Sequence, residues 1–184
     1  MPWPEVVVEV FDLALPKGEF DESEYYGPYN ALLGYLFPVD ERYIVVPQYK
    51  RLKKSVDFTT VFVVRHKRKP VFFIEVKPLG YLEHASTRSA ADEQMRALYN
   101  TLFDDVEINV LYGVSAIGTR LCFYKWTKET REIVPKAIPS SPDFTIDTAP
   151  AERWGLDILT AEGEERLRRV IDDVKTMCKE LERK

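Results

Sequence analysis

Two hydrophobic periods run along the chain, and they separate strands from helices. In VDFTTVFVVR, residues 56 to 65, the period of two puts Asp57, Thr59, Val61 and Val63 on one face and Phe58, Thr60, Phe62 and Val64 on the other. Both faces are mostly apolar, which predicts a central strand. His66 to Pro70 then forms a short polar connection, and Val71 to Lys77 resumes the alternation, with Val71, Phe73, Glu75 and Lys77 on one face and Phe72, Ile74 and Val76 on the other. So short a connection predicts an antiparallel pair. Tyr43 to Val46 reads as a shorter strand stopped by Pro47. Ile108 to Ala116 and Arg120 to Trp126 read as a hairpin turning at Ile117, Gly118 and Thr119, where glycine supplies the permissive position.

The period of 3.6 appears three times. Asp21 to Leu33 predicts a helix with Asp21 as cap, Glu22 and Glu24 in the first turn, and Tyr25, Tyr29, Leu32, Leu33 and Leu36 at helical spacings. Thr87 to Phe103 predicts a second, with Ala91, Met95, Leu98 and Leu102 in one stripe and Gln94 beside it. A third runs over about 161–183 behind a Thr160 cap, its stripe being Leu167, Val170, Ile171, Val174, Met177, Cys178 and Leu181, with Glu162–Arg166, Glu164–Arg168 and Glu165–Arg169 as supporting pairs. The valine-rich start, Val6 to Val8 with Val10 and Phe11, reads as a short strand or extended cover within residues 1–19, ended by Pro16 and Gly18. Pro135, Pro139, Pro142 and Pro150 mark 135–151 as a surface excursion.

Composition narrows the class. With 184 residues, 45% apolar and 30% charged, the chain suits a single globular α/β domain over 1–184, with a mixed sheet flanked by helices. Cys122 and Cys178 stand far apart without a Cys-x-x-Cys pair, so a reducing, intracellular setting is expected, nuclear or cytoplasmic alike. Glu5, Glu9 and Asp12 interrupt the first apolar run and no basic stretch precedes it, which argues against a secretory leader or a membrane span. The two histidines, His66 and His84, have no finger-like spacing with cysteine. Net charge is −4, yet residues 1–41 carry −8 and residues 42–77 carry +8. A basic face can therefore attract a polyanion although the whole chain is acidic, with Lys50, Arg51, Lys53, Lys54, Arg65, Lys67, Arg68 and Lys69 as candidate backbone contacts.

Within that basic segment lie Asp57 on one strand and Glu75 and Lys77, two apart, on the next. If the strands pair about residues 66–70, the two carboxylates approach across the ladder and Lys77 shares the face of Glu75. Two carboxylates suit a hard divalent ion, Mg²⁺ or Mn²⁺, which polarises a phosphodiester and activates water, and a lysine beside it stabilises charge.

This set resembles the PD-(D/E)xK nuclease superfamily. The resemblance implies a restriction-endonuclease-like core in the order α-β-β-β-α-β over about residues 20–126, and a metal-dependent nuclease acting on DNA or RNA. It matches Asp57 to the first acidic residue, Glu75 and Lys77 to Glu-x-Lys, Glu24 to an acidic residue of the first helix, and Gln94 to a glutamine of branches related to bacterial recombination nucleases, with Tyr99 as their following tyrosine. The alternatives are a nuclease-fold module that binds nucleic acid or protein without turnover, and an accessory protein that self-associates, as a homodimer or with a partner, through the C-terminal helix.

Overall fold

A computed structural model describes residues 2–15, 17–47, 60–139 and 149–183. In chain order its main elements are α1 (Glu5–Ala14), α2 (Tyr26–Leu36), β1 (Tyr43–Val46), β2 (Thr60–His66), β3 (Lys69–Lys77), α3 (Ala85–Leu102), β4 (Val110–Ile117), β5 (Arg120–Thr127), β6 (Ile133–Val134), β7 (Leu156–Asp157) and α4 (Ala161–Glu182). The strands form one sheet ordered β1-β2-β3-β4-β5-β6, with β7 also on β5. Every described pairing is antiparallel except β3 with β4, which makes the sheet mixed. The succession α2-β1-β2-β3-α3-β4 is the α-β-β-β-α-β order of a restriction-endonuclease-like core.

The two-sided apolar pattern of β3 has the predicted consequence: Pro70 to Lys77 are all buried. On one face Phe73 meets the ring of Tyr99 on α3 edge-on, 4.8 Å between centroids. On the other face Phe72 meets Phe37, just after α2, at 5.5 Å. α4 covers that second face too, where Tyr112 donates to Asp173 (3.1 Å) and the Arg166 guanidinium lies over Phe123. Helices thus pack on both sides of the sheet, as the crossover between parallel β3 and β4 requires.

The start of the chain departs from the strand reading. α1 forms because Val7, Phe11 and Ala14 fall at i, i+4 and i+7 and are buried, whereas Glu5, Glu9 and Asp12 are exposed. The strand preference of the valine run gives way to this stripe, which docks on α2 through Phe11 and Tyr29. The helix predicted over 21–33 is also modified. Asp21 accepts from the Ser23 N–H (2.8 Å) and opens a 3₁₀ turn over Glu22–Tyr25, after which α2 extends to Leu36.

α4 begins as predicted, with Thr160 accepting from the Gly163 N–H, and Arg168 and Arg169 pair with Glu164 and Glu165. Its Leu167, Val170, Ile171, Val174 and Cys178 are buried inside the molecule, while Met177 is half-buried and Leu181 exposed, so most of the stripe on which self-association was to rest is used within the fold. Both cysteines are free and buried. Among the described residues no helix is long and apolar enough to cross a membrane.

Candidate functional site

The C-terminal end of β3 is tied to its surroundings by backbone hydrogen bonds. Lys77 O accepts from Gly118 N (2.9 Å), and Leu79 and Gly80 N–H donate to the carbonyls of Gly18 and Glu19 (3.0 and 2.8 Å). Tyr29 on α2 donates to Gly118 O (2.7 Å). These contacts bring the 3₁₀ turn Glu22–Tyr25 to the end of β3 where Glu75 and Lys77 sit.

Glu75 has no exposed surface, and neither of its carboxylate oxygens has a hydrogen-bond partner. Its neighbours in the ladder are Val61 on β2 and Ser115 on β4. Lys77 is buried as well, with its Nζ 3.9 Å from Glu75 Oε1 and 5.9 Å from the centroid of the Tyr81 ring. Burial pushes the Glu75 carboxyl up from 4.5 to about 8; the Lys77 charge pulls it down, and Glu22 adds to the rise. The buried Glu75 carboxyl therefore feels one nearby cation and, more weakly, one further acidic group. Such a carboxylate is costly to hold as an isolated anion and suits a divalent cation that prefers oxygen ligands.

Asp57 lies outside the described residues. The described part of β2 starts at Thr60, paired with Val76, three residues after Asp57. Glu22 rather than Glu24 is the acidic side chain of the 3₁₀ turn that acts on Glu75. Both residues belong to the 3₁₀ turn Glu22–Tyr25.

Gln94 stands at the border of the buried stripe of α3, and its Oε1 is buried without a partner. α3 starts beside the turn Leu79–Leu82 that follows β3 and reaches Phe73 by Tyr99, so it runs back along the strand. Five residues of helix and two of strand each span about 7 Å, which brings Gln94 level with Glu75. Tyr99 itself is core: it packs on Phe73 and donates to Leu111 O (3.3 Å).

Two neighbours escaped the sequence reading. Ser115 is fully buried beside Glu75 and accepts from Trp154 Nε1 (3.2 Å), while Arg120 Nε holds Trp154 O (3.0 Å). Trp154 thus closes one flank of the site. Nothing in the proline-rich stretch 135–151 that precedes it signals this long-range contact.

The two basic clusters part company. Lys50, Arg51, Lys53 and Lys54 lie outside the described residues. Arg65, Lys67, Arg68 and Lys69 gather at the β2–β3 hairpin, at the opposite end of β3 from Glu75, about 20 Å away at 3.3 Å per residue. There Lys67 pairs with Glu182 (3.2 Å) and Lys69 with Glu107 (3.4 Å).

Among the described residues no group of three or more His, Cys, Asp or Glu side chains is arranged to hold a metal ion. No family model and no curated protein matches the chain. One solved structure is similar. It is the type IIG restriction endonuclease BpuSI, at 19% identity and a TM-score of 0.44, over 86% of this chain and 18% of that one. The chain therefore spans less than a fifth of that enzyme's length. Assignment of the fold class rests on the strand order and the packed faces described above.

Proposed function

We propose that the protein is a metal-dependent nuclease that hydrolyses phosphodiester bonds in DNA or RNA. The observation that carries this reading is the fully buried Glu75 carboxylate, both oxygens unpartnered, 3.9 Å from Lys77 on the same strand face. Glu75 and Asp57 would hold Mg²⁺ or Mn²⁺, with Glu22 adding negative charge. A divalent ion held there would supply Lewis acidity towards the phosphodiester and lower the pKa of a water beside it. Lys77 orients the attacking oxygen and stabilises charge on the phosphoryl group, and Gln94 positions the same region from α3. Basic side chains of 50–54 and 65–69 contact the nucleic-acid backbone without reading sequence.

The competing reading is a nuclease-fold module that binds nucleic acid or protein without turnover. One assay separates the two. Purified protein is incubated with single-stranded DNA, duplex DNA and RNA in EDTA, Mg²⁺ or Mn²⁺, beside Glu75→Gln, Lys77→Ala and Asp57→Asn. Cleavage that needs the metal and is lost in the variants supports the nuclease; cleavage equal in wild type and variants removes the site, and binding without cleavage in any metal establishes the module.

A further inference from the structure

At the end of the sheet remote from Glu75, a groove of about 720 Å³ runs between the β2–β3 hairpin and the last turns of α4. Buried Tyr43 and Cys178 line it, with Arg42, Lys67, Lys175 and Lys179 as its cations. Asp40 and Glu41 stand among them, and Glu41 is paired with Lys175 (2.7 Å).

Two features point to an anion. First, Arg42 and Lys67, which line the groove, and Arg68 next to Lys67 have left-handed backbones, with φ of 66°, 49° and 70°; Arg131, in the β5–β6 turn, is a fourth such residue. A two-residue hairpin turn with both φ positive favours Asn-Gly, and this chain has Lys67-Arg68 instead. Long cationic side chains are kept where the backbone disfavours them, the pattern expected where side chains are used. Second, the Glu182 carboxylate, on the last turn of α4, lies 3.2 Å from Lys67 Nζ and 3.5 Å from His66 Nε2. An internal anion already sits among these donors.

We infer that this groove binds a backbone phosphate of a nucleic-acid strand, with the Glu182 carboxylate marking the seat of the anion. The strand assignment rests on the nuclease reading above. The groove lies at the opposite end of β3 from Glu75, about 20 Å along the strand, so it would hold the substrate at a point apart from the reacting phosphate. Glu182 competes for the seat, and a phosphate would displace its side chain from Lys67 and His66.

The test measures binding of a labelled 20-mer, single-stranded and duplex, to the full chain in EDTA, where turnover is absent. Arg42→Asn and Lys67→Asn each remove a cation while asparagine tolerates the left-handed backbone, so thermal melts should show the fold intact. Each should weaken binding about fivefold and lower the slope of log K against log salt by about 0.7 to 0.9. Glu182→Gln should tighten binding by about the same factor. Absence of oligonucleotide binding, or affinity unchanged across the three variants, overturns the groove. A nucleoside 5′-monophosphate bound as tightly as the 20-mer overturns the strand assignment. Groove effects without any Mn²⁺-dependent cleavage would sink the nuclease reading alone, whereas cleavage and binding both indifferent to the groove variants would sink the groove alone.

Discussion

Glu75 and Lys77 point from the same face of β3 with 3.9 Å between carboxylate and ammonium, yet burial outweighs this attraction and leaves the Glu75 carboxyl near 8. Between its unfolded value of 4.5 and about 8, the native state keeps a proton that the unfolded chain has lost. Stability contributed by this group is therefore present below pH 4.5 and falls as pH rises towards 8, by at most about 1.4 kcal/mol per unit. Urea unfolding at pH 5, 6.5 and 8 should show this decline in wild type, and Glu75→Gln should flatten it. Lys77→Met removes the opposing charge and should carry the decline to higher pH. Parallel profiles for wild type and Glu75→Gln would show that Glu75 does not titrate in this way.

A divalent ion at the site should reverse that penalty, because it favours the ionised carboxylate. Mn²⁺ should raise stability more at pH 8 than at pH 6, since less proton has to be displaced. Of the two acidic residues in the 3₁₀ turn, Glu22 is the one whose charge reaches Glu75. Glu22→Gln should weaken Mn²⁺ binding by about tenfold, as loss of a supporting group commonly does, while Glu24→Gln should change it little. Titration calorimetry on both variants decides, and equal losses would remove the distinction.

The sheet was legible in the sequence because β3 and the described part of β2 are apolar on both faces, and α4 because its stripe, cap and ion pairs agree. Three features were not, each for a physical reason. The valines of α1 favour a strand locally and yield to a helical stripe that pays off only against α2. The 3₁₀ turn that carries Glu22 and Glu24 replaces the head of the predicted helix, and its winding of about 3.0 residues per turn instead of 3.6 is not visible in the spacing. The basic residues 65–69 are close to Glu75 in sequence, but an extended strand turns six residues into about 20 Å, which separates the charges from the carboxylate they were expected to serve.

Asp92 joins α3 to β5 and to the segments around Ile138 and Arg153. Its side chain is 2% exposed and accepts from Arg96 (2.9 Å), Tyr124 Oη (2.9 Å), the Ile138 N–H (3.1 Å) and Arg153 (3.5 Å). Asp92→Ala leaves these donors unpaired around a small void and should cost about 3 to 5 kcal/mol. Because α3 carries Gln94, the same variant should also loosen that flank of the site. Chemical denaturation gives the cost, and a loss below about 1 kcal/mol would mean that water replaces the carboxylate.

Close packing at Gly113 sets a stricter limit. It lies opposite Phe73 on β3, and a Cβ there would come within 2.5 Å of the Phe73 ring, which is itself held against Tyr99. Gly113→Ala should destabilise by about 1 to 3 kcal/mol through overpacking, and Gly113→Val by more. Phe73→Leu should make room and recover part of the loss in the Gly113→Ala background. Additive costs in this double-mutant cycle would show that the clash is relieved elsewhere.

The hairpin tip offers a prediction in the opposite direction. Lys67 and Arg68 occupy left-handed positions, where a non-glycine side chain costs about 1 to 2 kcal/mol. Replacing the pair with Asn-Gly suits both positions, while the Lys67–Glu182 contact that is lost is exposed and screened by solvent. Glycine also enlarges the unfolded ensemble, which offsets part of the gain. The double variant Lys67→Asn/Arg68→Gly should therefore be more stable than wild type by about 1 kcal/mol, raising the thermal midpoint by a few degrees. Its oligonucleotide binding in EDTA should fall. A protein that gains stability and loses binding together has kept two cations against the preference of its own backbone; a variant that loses both has lost a structural contact instead.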